Sequence, residues 1–323
     1  MSQPDQLDHC GSVAPTRWLV LGGAGFVGRQ VVATLARYGH RVWTSVRPGQ
    51  QHAFVGRDRV DDQVLEADLA DEGALSTVFS EVRPDITLNC VGYGIQRGQC
   101  DEQLAERMNG WLPPRLIEII GARAVGVSPV VVHLASEFER RAPLSLYGRT
   151  KAQGTVQFVA ACRTGNVRGV VARIFTLYGP YEQPGRLLPS LCELTRREGE
   201  LNLTAGAQVR DFTYVEDVAA GIIRLAESRF ASGEIIDLGT GRNTSVRDFS
   251  LAAAQELGID PTRLRFGALP QRDEDLIEVA PRPADVTRLR ELTGWQPTTT
   301  IRDGVRQTAR QLGDLVLRLE NSR

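Results

Sequence analysis

Near the start of the chain a short apolar run, Arg17-Trp-Leu-Val-Leu-Gly22, leads directly into Gly22-Gly-Ala-Gly-Phe-Val-Gly28. No other stretch restricts the fold as tightly. An apolar run closed by glycine reads as a buried strand. From Gly25 to Tyr38 the apolar residues fall at helical spacing, through Val27, Val31 and Leu35. Gly22, Gly25 and Gly28 therefore occupy the turn between a first strand and a first helix. Bare backbone there lets a phosphate reach the unpaired N–H groups and partial positive charge of a helix N-terminus. In that context the GxxGxxG spacing predicts dinucleotide binding, with Gly22, Gly25, Phe26, Val27 and Gly28 around the pyrophosphate.

The rest of the first half repeats the strand–helix alternation. Strands are predicted at Arg41 to Val46, Val64 to Ala67, Asp85 to Val91, Pro129 to Leu134 and Val167 to Phe175. Helices are predicted at about Asp71 to Glu81, Cys100 to Ala122 and Tyr147 to Cys162, the second interrupted at Pro113-Pro114. This order predicts an α/β fold, a doubly wound parallel sheet of the Rossmann kind. After Pro180 shorter strands mix with helices, which predicts a smaller, partly interleaved substrate-binding subdomain over 181–323 behind a nucleotide-binding domain over 17–180. Residues 1–16 read as a disordered lead-in, polar and without the layout of a signal peptide.

Composition removes several classes of function. The formal charge of −1 gives no electrostatic footprint for nucleic acid or an anionic membrane surface. No run approaches the ~20 apolar residues of a spanning helix. Five scattered cysteines without a CxxC predict reduced thiols, a cytoplasmic location and no metal site.

The second strand bears on the choice of dinucleotide. In NAD-binding crossovers an acidic side chain at its end holds the ribose hydroxyls. Here that position is Val46, and Arg47 follows. A guanidinium there suits the 2′-phosphate of NADP, so the cofactor is read as NADPH/NADP+. Asp68 and Leu69, just past the third strand, are placed at the adenine, and Val91 past the fourth.

A second constellation carries the chemistry. Of 38 basic residues a single one, Lys151, is lysine. It lies four residues after Tyr147, so phenol and ammonium share a helix face. A nearby fixed cation favours phenolate, and the pair is expected to lower the Tyr147 pKa. Ser136, just after the fifth strand, lies at the carboxyl edge where such sheets bind ligands and could donate to a carbonyl oxygen. The three are read as a catalytic trio.

With these motifs the chain resembles the extended short-chain dehydrogenase/reductases that act on nucleotide sugars as epimerases, dehydratases and reductases. The resemblance runs from about Arg17 to Thr308. It also rests on Arg173-Ile-Phe-Thr-Leu-Tyr-Gly-Pro180, Arg210-Asp-Phe-Thr-Tyr-Val-Glu-Asp217 and Thr293-Gly-Trp-Gln-Pro297. It implies catalytic roles for Ser136, Tyr147 and Lys151, diphosphate contacts from Arg210 and Arg272, and a homodimer through the helix bearing Tyr147. The dehydratases of the family follow the hydroxyl residue with an Asp-Glu pair. Here the residues are Glu137 and Phe138, so the base for eliminating water is missing, while Glu137 is kept as a substrate contact. The interval from Ser136 to Tyr147 is shorter than in the epimerases. Val91-Gly-Tyr-Gly-Ile95 and Asn109-Gly-Trp-Leu-Pro113 are similar to the abequose/paratose synthase branch. That branch implies NADPH-dependent reduction of a 4-keto group on a CDP- or dTDP-linked deoxyhexose. The alternatives are a nucleotide-sugar 4-epimerase with bound NAD(P) and a catalytically silent NADP-binding regulator.

Overall fold

A computed structural model describes residues 16–50, 63–95, 98–124, 128–141, 145–164, 167–270 and 281–320, the last seven by backbone alone. The first half runs β1 (Arg17–Leu21), α1 (Phe26–Arg37), β2 (Arg41–Val46), β3 (Val64–Glu66), α2 (Glu72–Val82), β4 (Ile86–Asn89), α3 (Glu102–Ala105), a π-helical turn (Glu106–Trp111), α4 (Leu112–Gly121) and β5 (Val130–Ser136). It continues through a 3-10 turn (Glu137–Arg140), α5 (Leu146–Thr164), β6 (Arg168–Ile174) and β7 (Thr176–Tyr178). The second half adds α6 (Leu187–Leu194), β8 (Leu201–Leu203), β9 (Val209–Arg210), β10 (Phe212–Tyr214), α7 (Val215–Glu227), β11 (Glu234–Leu238), β12 (Thr244–Ser245) and α8 (Val246–Leu257). It ends with β13 (Leu264–Phe266), α9 (Thr287–Thr293) and α10 (Ile301–Glu320).

Seven strands form one parallel sheet in the order β11-β6-β5-β4-β1-β2-β3. Side chains alternate across a strand, and β1 shows the result. Trp18 and Val20 enter one core with α1 and α7, while Leu19 and Leu21 enter the other with α2, α4 and α5. Both faces are covered, which is why these strands read as continuous apolar runs. Strand order reverses between β1 and β4. The crevice beyond their carboxyl ends is the usual ligand position in such a sheet.

The second half is threaded through the first. β11 pairs with β6 at the sheet edge, and Val218, Ile222 and Trp295 fill the β1–α1 core. The remaining elements gather on their own core, in which Phe212 stacks on Phe249 at 4.1 Å between ring centres.

The structure differs from the sequence expectation at Pro113-Pro114, where the helix does not break. The wide turn over 106–111 absorbs the imino acids: the Leu112 amide reaches back to the Arg107 carbonyl, and α4 continues with both prolines in its first turn. Pro113 has no N–H to donate to the Asn109 carbonyl. Gly154 of α5 lies against that oxygen so closely that a Cβ there would sit 1.9 Å from it.

Candidate active site

The glycine turn has the shape a diphosphate needs. Gly22 takes a left-handed conformation (φ 78°), and its carbonyl accepts the Gly25 amide at 3.0 Å. A Cβ on Gly28 would sit 2.4 Å from the Gly22 carbonyl oxygen, so only glycine lets α1 start this close to β1. Gly25 caps α1 without a side-chain hydrogen bond, and the first turn, Phe26 and Val27 included, holds no acidic residue. The N-terminal amides therefore face no competing carboxylate, which suits a pyrophosphate. Val91 borders the same turn, with its methyl 3.3 Å from where a Gly22 Cβ would lie, and its amide is fixed by Asn89 at 3.0 Å.

Arg47 follows β2 as an exposed side chain. Nearby Glu66 spends a carboxylate oxygen on the Gly49 amide. Asp68 is exposed and accepts from the Ala70 amide at 3.0 Å, closing the turn after β3, while Leu69 is buried.

Ser136 is the last residue of β5, two residues beyond the strand end that the sequence suggested. Its hydroxyl oxygen accepts the Phe138 amide, and its own amide donates to Glu139 Oε1 at 2.9 Å, a complete capping box on the following 3-10 turn. That turn is anchored on both sides. Glu137 is buried, pairs with Arg141 at 2.9 Å and accepts from the Thr176 hydroxyl at 3.0 Å. Arg140 grips Asp237 of β11 with both terminal nitrogens at 3.1 Å, and Arg173 of β6 joins the same carboxylate at 3.3 Å. Phe138 packs edge-on against the Tyr147 ring.

Ser145 caps α5 by accepting the Gly148 amide at 3.1 Å, which presents Tyr147 and Lys151 from the first turns of the helix. Tyr147 exchanges a side-chain hydrogen bond with Ser136. The loop after β4 covers its other flank, where a Cβ on Gly94 would lie 3.5 Å from the Tyr147 Cβ. Asn109, fully buried in the π turn, ties that loop to α5. Its amide nitrogen donates to the Tyr93 carbonyl at 2.7 Å and to Thr150 at 2.9 Å, and its oxygen accepts the Tyr93 amide. Lys151 is buried and donates to the Leu134 carbonyl at 2.5 Å.

The electrostatics correct one expectation. Lys151 does not win a lowered Tyr147 pKa. Burial comes first and, with the negative charge of Glu139, pushes the phenol up to about 12 against the pull of Ser136 and Arg186. Tyr147 is therefore a neutral phenol at physiological pH. Burial pulls Lys151 down to about 8, opposed by Glu139. His133, whose ring lies 3.3 Å from the Asn89 amide, is held well below its ordinary value by burial and by Lys151.

Arg210 is buried on β9, donating to the Val209 carbonyl. The neighbouring Asp211 accepts the Thr240, Gly241 and Ala284 amides at 2.9 to 3.1 Å, which stitches this segment to two loops. Arg272 lies outside the described residues. Sequence reasoning gave Asn109 only as part of a branch motif, without a role, and missed Glu139. For Glu139 a signal existed, because Ser136-x-x-Glu139 is the capping-box pattern. Among the described residues no cluster of ligating side chains could hold a metal, and no helix is long and apolar enough to cross a membrane.

A turn fitted to a diphosphate, and a hydroxyl, a phenol and an ammonium gathered at the carboxyl end of β5, agree with what comparison finds. The model of the NAD dependent epimerase/dehydratase family matches residues 18–239. The chain belongs to this family. As a family member it is an enzyme of the nucleotide-sugar branch of the extended short-chain dehydrogenase/reductases. A dTDP-6-deoxy-L-talose 4-dehydrogenase (NAD(P)(+)) of Kitasatospora kifunensis is 30% identical, covering 91% of this chain and 95% of the relative. A CDP-abequose synthase of Salmonella muenchen is 21% identical over 90% and 95% of the two chains. In fold the chain is similar to a dTDP-glucose 4,6-dehydratase of Bacillus anthracis solved with NAD, with a TM-score of 0.79, 17% identity, and coverage of 92% and 96%. In this epimerase/dehydratase member the glycine turn fits the diphosphate of such a dinucleotide.

Proposed function

We propose that the enzyme is an NADPH-dependent reductase that converts the 4-keto group of a CDP- or dTDP-linked deoxyhexose to an alcohol. The observation that carries this reading is the neutral Tyr147 phenol, hydrogen-bonded to Ser136 and packed against Phe138. Reduction of a ketone needs a proton donor, and a phenol raised to about 12 keeps its proton at neutral pH. The dinucleotide, when bound, supplies the hydride. Ser136 donates to the carbonyl oxygen and polarises it. Tyr147 then delivers the proton to that oxygen. Lys151, an ammonium four residues along the same helix, stabilises the charge left on Tyr147 and holds the cofactor ribose.

Phe138 supports reduction over elimination, since a phenyl ring cannot remove the proton beside the ketone. Arg47 supports NADPH through the 2′-phosphate, with Asp68 and Leu69 at the adenine. Arg210 and Arg272 are proposed to hold the diphosphate. Glu137, already paired with Arg141 and Thr176, is proposed to act on the sugar only by holding the turn beneath it. A relative named for 4-dehydrogenation of a dTDP-6-deoxy sugar supports redox chemistry at C4.

Stoichiometry tests the proposal. Supplied with a 4-keto-6-deoxy nucleotide sugar and deuterated NADPH, the enzyme should oxidise one NADPH per product and leave one deuterium at C4. Product formed without loss of NADPH would mark an epimerase, and binding without turnover would mark a silent NADP-binding protein.

A further inference from the structure

We propose that Glu139 is a positioning residue of the Ser136–Tyr147–Lys151 trio. It fixes the end of β5 through the Ser136 amide and supplies the negative charge against which the buried Lys151 stays an ammonium. The inference rests on the reading of that trio as catalytic, and deepens it.

The geometry puts Glu139 where both tasks meet. Its Oε1 accepts the Ser136 amide at 2.9 Å, so the carboxylate is fixed to the residue whose hydroxyl bonds Tyr147. Lys151 donates to the Leu134 carbonyl at 2.5 Å, two residues before that amide, so ammonium and carboxylate are held on the same end of β5, where the charge of Glu139 favours the ammonium. The groups facing the phenol and the ammonium come from four places: Glu139 from the 3-10 turn, Cys90 from beyond β4, His133 from β5 and Arg186 from ahead of α6. Burial keeps the Cys90 thiol and the His133 ring neutral, and Arg186 is cationic. Among the described residues that leaves Glu139 as the anion facing Lys151.

A capping box needs only a hydrogen-bond acceptor at its third position, and glutamine serves there as well as glutamate. Capping alone therefore gives no reason for a charge. The charge has a use one helix away. Removing Lys151 from water favours the neutral amine. A neutral amine would lose its attraction both for a phenolate left by proton transfer and for the electron-rich ribose oxygens.

The lone lysine makes the test direct, because 13C label at lysine Cε gives a single side-chain resonance. In the wild type that resonance should titrate near pH 8. In Glu139→Gln, which keeps the acceptor and removes the charge, the midpoint should fall by about one unit. In Glu139→Asp the charge stays, and the midpoint should remain close to the wild-type value. NADPH titrations should agree, with binding weakening at a lower pH in Glu139→Gln than in the wild type. An unmoved midpoint in folded Glu139→Gln overturns the inference. The titration uses no sugar, so a protein that reduces no 4-keto substrate would sink the proposed reaction and leave this result standing.

Discussion

Lys151 opposes the fold that holds it. An ammonium that titrates near 10.5 in water and near 8 in the folded chain is held against its preference. The sign follows from the depressed value. Below pH 8 the lysine is charged in both states and the penalty is complete; between 8 and 10.5 the unfolded chain binds the extra proton and stability recovers. A shift of this size corresponds to about 3 kcal/mol. Lys151→Met, similar in length and apolar, should therefore unfold at higher urea than the wild type at pH 7, with the gain shrinking as pH rises toward 10.5. A less stable methionine variant at pH 7 would show that the Leu134 carbonyl bond outweighs burial. The same residue limits catalysis at high pH, and reduction should fall away above about pH 8. Tyr147→Phe keeps the ring and loses the proton donor, so turnover should drop by roughly 10²–10⁴ with NADPH affinity little changed. Near-normal turnover would require another proton donor. At the other end of the site, a charge-assisted contact from Arg47 is worth ~1.5–3 kcal/mol. Arg47→Ala should erase a roughly tenfold to hundredfold preference for NADPH over NADH in kcat/KM. Equal use of both cofactors by the wild type would remove Arg47 from the cofactor site.

Between α5 and the helix before it, one glycine sets the spacing. A methyl at 154 would overlap the backbone oxygen of Asn109, which cannot rotate aside as a side chain would. Gly154→Ala should lower the urea midpoint by an equivalent of about 1–3 kcal/mol, and it should also slow turnover, because α5 carries Tyr147 and Lys151. An unchanged midpoint would mean that the π turn can shift. This part of the molecule also shows where sequence reading succeeds and stops. Gly22, Gly25, Gly28, Tyr147 and Lys151 are legible because their spacing is local, set by one turn or one helix face. The run after Cys100 misleads, since Pro113-Pro114 predicts a break that a wide turn removes. Asn109 shows in the sequence only as part of a motif, and its role is hidden because it joins Tyr93 to Thr150 across the fold. The Tyr147 pKa went the other way for the same reason. A lysine four residues on is visible in the sequence, whereas the burial that outweighs it belongs to the assembled site.

At the scale of the whole chain, the return of β11 to the sheet sets an order of events during synthesis. A ribosome delivers β6 well before it delivers β11, since Ile174 ends one and Glu234 begins the other. Throughout that interval the backbone of β6 is a hydrogen-bonding edge with no neighbour on one side, apolar at Val170, Val171 and Ala172. Such an edge invites pairing between chains. A fragment ending at Pro180 should accordingly sediment as aggregate, while one extended through Leu238 should stay dispersed; a dispersed, monomeric short fragment would count against this. What looks in the finished molecule like one more strand is, for the growing chain, the closing of its most adhesive surface.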